Sequence, residues 1–232
     1  MIGKLVFVDG PYGLRKYLGD EIKTPRAFEL YRDLFAAAVR RGVSHLVVCG
    51  TFESLAWIHE TVRVPTPLMY RSTIVWHKPD WVGGAVKHIR TFSPRYELLA
   101  HYSMNESEFY ADIVRQPYGP RAMAGDIKKT GRPRIWQPNP LGARCGNVWT
   151  ITSERLAKKV MGRTLANAHP CQKPTELLTR IVLATTQLGD EVEEPFYGSC
   201  GLLNVCSNLG RKHTAWLRAE EYILGQQARE EK

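Results

Sequence analysis

Residues 169–222 constrain the chain more than any other stretch. In order they read as a helix, a strand, a tight turn holding Gly198 and Gly201, a second helix and a last strand. A glycine-containing turn at the carboxyl end of a strand, opening into a helix, is the layout of a nucleotide-type cofactor pocket. The first helix spans 175–187: Leu177, Leu178, Ile181, Val182 and Thr185 share one face, and Pro174 fits the first turn. The second helix spans 202–209 and stops at Gly210, and 213–217 form the strand after it.

The N-terminal half shows the same alternation. The apolar run Lys4–Val8 reads as a buried parallel strand that ends at Asp9, followed by the turn signal Gly10-Pro11-Tyr12-Gly13. Residues 27–41 carry Phe28, Tyr31, Leu34, Phe35, Ala38 and Val39 at helical spacing. A buried strand follows at 44–49, then a helix over 52–62, barred from continuing by Pro65 and Pro67. Residues 71–77 and 95–102 read as further strands. From 104 to 140 periodicity disappears into Pro, Gly and Arg. A connector that long is functional or disordered. Strands alternating with helices predict one α/β domain over 1–232, a doubly wound, mostly parallel sheet with helices on both faces, and 81–144 as a basic insertion.

The composition excludes several classes. The chain has 232 residues, 44% hydrophobic and 24% charged, within the globular range and enough for a sizeable core. No apolar run reaches membrane-spanning length, and the N-terminus enters a strand without a signal-peptide pattern. Five scattered cysteines without ligand spacing argue against disulfides and structural zinc, so a cytoplasmic setting and no metal are expected. The net charge of +9 calls for a polyanionic partner. Residues 115–144 hold Arg115, Arg121, Lys128, Lys129, Arg132, Arg134 and Arg144 against the single acid Asp126, with Tyr118 and Trp136 interleaved. Clustering of this kind favours nucleic-acid contact over a plain solvated loop.

Five motifs resemble, in order, the β-class of DNA amino-methyltransferases acting on adenine N6 or cytosine N4. Asp9-Gly10-Pro11-Tyr12 resembles the family's Asp-Pro-Pro-Tyr. Pro138-Asn139-Pro140-Leu141-Gly142 with Asn147-Val148-Trp149 resembles a segment before the cofactor half. His169-Pro170-Cys171-Gln172-Lys173-Pro174 is close to His-Pro-Thr-Gln-Lys-Pro, and Pro195-Phe196-Tyr197-Gly198-Ser199 resembles the Asp-Pro-Phe-Ala-Gly-Ser-Gly turn. Gly210-Arg211-Lys212 and Glu220-Glu221-Tyr222 flank the second cofactor strand.

The resemblance implies a Rossmann-like fold, S-adenosylmethionine as cofactor and DNA as partner, with a homodimer or an active methyltransferase subunit as a further partner. An exocyclic amine is a poor nucleophile, because its lone pair is delocalised into the ring. The implied site answers this with Asp9 and the Gly10 carbonyl as acceptors, Pro11 in the turn, and Tyr12 stacked on an extruded base. Gln172, Lys173, Pro174, Glu194, Phe196, Gly198 and Ser199 are the implied cofactor side.

The chain departs from the family where Gly10 replaces a proline, Cys200 a glycine, Tyr197 an alanine and Glu194 an aspartate. Leu217 stands at the position of the ribose-binding acid. The departures, with ends that fall short of the family's outer segments, keep open a second reading: a catalytically degenerate relic that binds DNA or partners an active subunit. A dinucleotide-dependent oxidoreductase is excluded for want of a G-x-G-x-x-G turn followed by an acid, and Cys200 has no visible base to serve a catalytic thiol.

Overall fold

The computed structural model describes residues 4–10, 25–60, 66–79, 92, 95–119, 138–153, 172–197 and 201–218. The strands are β1 (Lys4–Val8), β2 (His45–Gly50), β3 (Met69–His77), β4 (Tyr96–Ser103), β5 (Val148–Thr150), β6 (Glu191–Tyr197) and β7 (Lys212–Arg218). The helices are α1 (Pro25–Arg40), α2 (Phe52–Ile58), α3 (Thr175–Thr185) and α4 (Gly201–Leu209), with a 3-10 turn at Ala111–Val114. The strands form one sheet in the order β5-β3-β4-β2-β1-β6-β7. Among the described strands only β4 runs against its neighbours, pairing antiparallel with β2 and β3. The other pairs are parallel, so the mostly parallel sheet expected from the sequence is the one observed.

Alternation along each strand sends side chains to two cores. Leu5 and Phe7 of β1 join Val47, Cys49, Leu99 and Val192 beneath α3 and α4, whose Leu177, Leu178, Ile181, Leu202 and Val205 complete that core. Val6 and Val8 face the other way, against Tyr31, Leu34, Phe35 and Ala38 of α1 and Leu55 and Ile58 of α2. Each fully buried aliphatic side chain contributes about 1.5–3 kcal/mol relative to exposure. Helix ends follow local chemistry. Gly42, at φ +77°, follows α1, and Thr51 and Ser54 form a capping box at the start of α2.

Buried polar pairs add to the apolar cores. His45 on β2 and His101 on β4 lie side by side, with Nδ1 of the first 3.0 Å from Nε2 of the second. The Nε2–H of His45 donates to the Glu108 carbonyl at 2.8 Å, so its Nδ1 accepts from His101. At the amino end of the sheet, fully buried Glu193 on β6 meets Lys4 at 2.9 Å, Arg41 at 2.7 Å and the Trp216 indole N–H at 2.6 Å.

The structure differs from the sequence reading in several places. The 52–62 helix is α-helical over Phe52–Ile58, and 61–65 lie outside the described residues. Pro174 is the N-cap of α3, one residue ahead of the first helical position. The three-residue strand β5 extends the sheet where no strand was expected. The 81–144 range contains β4, a core strand between β2 and β3, so that part of it belongs to the sheet and not to an insertion.

Candidate active site

From β1 the chain turns through α1 to β2 on one side, and from β6 through α4 to β7 on the other. The direction of winding reverses between β1 and β6, which pair directly through Lys4↔Glu191, Leu5↔Val192 and Val6↔Glu193. In open α/β sheets, ligands bind in the crevice outside the carboxyl ends of strands at such a switch point. Asp9 and Gly10 leave β1 at that crevice.

A chain of alternating charges occupies it. Lys173, next to the N-cap of α3 and 5% exposed, places Nζ 2.8 Å from each carboxylate oxygen of Asp9. The same Nζ is 3.5 Å from Oε2 of Glu97, on β4. Glu97 Oε1 accepts a hydrogen bond from Lys78, whose ammonium lies 4.3 Å from the Trp76 ring centroid. Burial pulls the Lys173 pKa down, but the charges of Asp9 and Glu97 outweigh it and hold the ammonium above the ordinary lysine value. Burial pushes Glu97 up, and the charges of Lys173 and Lys78 bring it below the usual carboxylate range. Both groups are therefore ionised at neutral pH.

Glu194 and Phe196 on β6 complete the described wall. Glu194 is buried and lies 3.1 Å from His213 Nε2 on β7. Burial, aided by the Asp9 charge, raises its pKa against the opposing effect of His213. Burial and the Glu194 charge likewise push the Cys206 thiol up to about 12, so it is an inert core group. The Phe196 ring packs against Gly10: a Cβ built on Gly10 would stand 2.8 Å from Phe196 Cε2 and 2.9 Å from the Tyr31 hydroxyl oxygen.

Of the residues singled out in the sequence, the structure brings Asp9, Gly10, Lys173, Glu194 and Phe196 to this crevice. Pro174 is buried beside them at the N-cap, and Gln172 is half-buried. Leu217 lies on β7 in register with Phe196. Pro11, Tyr12, Gly198, Ser199 and Cys200 lie outside the described residues, as do Arg121, Lys128, Lys129, Arg132 and Arg134. Arg144 is exposed. Arg115 clamps its own loop, donating to Asp112 at 2.7 Å and to the Gly142 carbonyl at 2.6 Å with a side chain 10% exposed. The sequence reading missed Glu97 and Lys78. The available signal was an acid inside the otherwise apolar and aromatic run Tyr96-Glu97-Leu98-Leu99-Ala100.

The comparisons with known proteins agree with this geometry. The sequence model of a DNA methylase family of the N6/N4 type matches residues 4–230. The Type II methyltransferase M1.MboII of Moraxella bovis is 30% identical over 229 residues, covering 95% of this chain and 86% of that protein. The Type II methyltransferase M.HpaI of Haemophilus parainfluenzae is 24% identical over 226 residues, 94% of this chain and 65% of its relative, so the chain spans just under two thirds of that protein. Among solved structures, the cytosine-N4-specific PvuII DNA methyltransferase superposes with a TM-score of 0.60 at 16% identity, over 96% of this chain and 77% of that one. The complex of M1.HpyAVI with S-adenosylmethionine does so with a TM-score of 0.55 at 16% identity, over 98% and 88%. Among the described residues no helix is long and apolar enough to cross a membrane. With the family's sequence model spanning nearly the whole chain, this protein belongs to the N6/N4 DNA methylase family.

Proposed function

We propose that this chain transfers a methyl group from S-adenosylmethionine to the exocyclic amine of adenine (N6) or cytosine (N4) in DNA. The observation that carries the reading is the Asp9–Lys173 pair at the switch point of the sheet, a half-buried carboxylate held by a buried ammonium. A carboxylate fixed at a strand end is a preorganised acceptor for an amine N–H. The crevice also fits the cofactor: it is walled by the carboxylates Asp9 and Glu194 and the ring of Phe196, groups suited to a cationic ligand with an adenine ring. Glu194, Phe196 and the residues leading into α3 would hold it. Bound there, S-adenosylmethionine supplies a methyl group activated by a sulfonium.

The chain's own residues do the positioning. Asp9 and the Gly10 carbonyl accept the two amine N–H groups, which localises the nitrogen lone pair and aims it. Tyr12, two residues on, supplies the face on which an extruded base stacks. The basic 115–144 stretch faces the phosphates, a role that the exposure of Arg144 supports. The names of M1.MboII and M.HpaI support a modification role in a restriction–modification setting, hence in the cytoplasm. A second copy of the chain or a companion methyltransferase subunit belongs to the same proposal.

Labelled-methyl incorporation into DNA, with calorimetric titration of the cofactor, tests the reading. Asp9→Ala is expected to lower the methylation rate by roughly 100-fold or more. Methylation by Asp9→Ala at the wild-type rate would remove Asp9 from the mechanism, and absence of cofactor binding by the wild type would remove the activity.

A further inference from the structure

The Asp9–Lys173 pair, as it stands, is a closed ion pair. An ammonium 2.8 Å from both oxygens of a carboxylate sits between them and takes an inner lone pair from each. Those are the lone pairs that a carboxylate offers most readily to a donor. The outer lone pairs stay open, but if the target amine, whose acceptor we propose Asp9 to be, takes an inner one, Lys173 must yield it when the amine arrives.

Lys173 cannot yield to water or to an apolar wall. It is 5% exposed, and a buried ammonium without an anionic partner is strongly destabilised. A second anion stands ready. Glu97 Oε2 is buried, has no hydrogen-bond partner among the described residues, and lies 3.5 Å from Lys173 Nζ. Closing that gap from 3.5 Å to the 2.8 Å seen at Asp9 takes a movement of about 0.7 Å, well within a lysine rotamer adjustment. The other oxygen of Glu97 is held by Lys78, which keeps the carboxylate aimed and charged while Lys173 moves. A buried acceptor whose nearest donor stands as far as 3.5 Å is incompletely satisfied, which calls for an explanation. Here the explanation is a second resting place for the lysine.

We propose that Glu97 is a positioning residue of the reaction, the anion to which Lys173 withdraws when the target amine takes its place on Asp9. The inference rests on Asp9 being the amine's acceptor.

The test joins kinetics to a direct view of the ammonium. Glu97→Gln, which keeps size but not charge, is expected to bind S-adenosylmethionine as the wild type does and to lose roughly 10- to 100-fold in kcat, with little change in KM for DNA. Glu97→Asp should recover part of that loss. In wild-type protein carrying 15N-lysine, the Lys173 Nζ resonance should shift when S-adenosylhomocysteine and a substrate oligonucleotide are added together, and in Glu97→Gln it should stay. An active wild type beside an equally active Glu97→Gln overturns the proposal alone, and so does a Lys173 resonance indifferent to DNA. An inactive wild type overturns the methyltransferase reading and the proposal with it. If Glu97→Gln does not fold, the wild-type resonance decides.

Discussion

Gly10 shows how much a single position can mean in this crevice. The motif it belongs to ordinarily has proline there, and the sequence alone suggests lost stiffness. The structure shows a fit. Phe196 and the Tyr31 hydroxyl, both deeply buried, close on Gly10 so tightly that any Cβ would meet them below 3.0 Å. Gly10→Ala should therefore behave as an overpacking mutation, costing about 1–3 kcal/mol and lowering Tm by several degrees, with methylation falling further than stability because Asp9 moves with the strand end. Gly10→Pro, the family's own residue, should do the same. Thermal denaturation beside a methylation assay checks both, and unchanged Tm and rate would mean that Phe196 and Tyr31 give way. Two arginines of the basic stretch separate in the same spirit: Arg115 is committed to Asp112 and Gly142, while Arg144 presents its charge to solvent.

At the scale of elements, β6 ties both ends of the chain into the sheet. Its sequence Glu191-Val192-Glu193-Glu194-Pro195-Phe196 carries three acids in a strand that is largely buried, an unfavourable pattern unless each acid is paired. Each is: Glu191 with Lys4, Glu193 with Lys4 and Arg41, Glu194 with His213. Truncating Glu193 to alanine would leave the Trp216 N–H unsatisfied while Lys4 keeps Glu191 and Arg41 turns to solvent, and should cost about 1–3 kcal/mol in urea denaturation. A cost below 1 kcal/mol would mean that solvent reaches the site. The elements themselves were mostly legible. Long helices and strands such as 27–41, 44–49 and 175–187 announce themselves by period and by punctuation at Gly42, Gly50 and Pro174. β5 was not legible, because three residues cannot display a period and its pairing with β3 is a tertiary fact. The direction of β4 was hidden for the same reason. The site was half legible: motif order placed Asp9 and Lys173 near one pocket, but assigned the lysine to the cofactor. Nothing local reveals that it reaches a carboxylate 164 positions away, with Glu97 behind it.

For the molecule as a whole, the His45–His101 pair makes stability depend on pH. One proton fits between the two rings, and the other nitrogen of His45 already donates to Glu108. Burial, with His45 close by, pushes His101 down to about 3, and burial lowers His45 as well. An unfolded histidine titrates near 6.5, so below that value the unfolded chain binds protons that the native one refuses. Stability should be flat above about pH 7 and fall as the pH drops from 6.5 toward 3, by about 1.4 kcal/mol per pH unit for His101, with His45 adding in the same direction. Urea denaturation at pH 7.5 and 5.5 measures it, and a His101→Gln chain should show the shallower dependence. Equal stability at the two pH values would mean that the pair accepts a proton without opening.

The pairing of β1 with β6 sets a schedule as well as a shape. Lys4 lies opposite Glu191, and Asp9 opposite a lysine that leaves the ribosome long after it. At roughly 5–20 residues per second, the first strand waits roughly 10–40 s for its partner to be made. Until then the acceptor lacks its cation, and β1 has only β2 beside it in the sheet. The nascent chain thus carries a motif that cannot take its paired form before synthesis has passed Lys173 and β6.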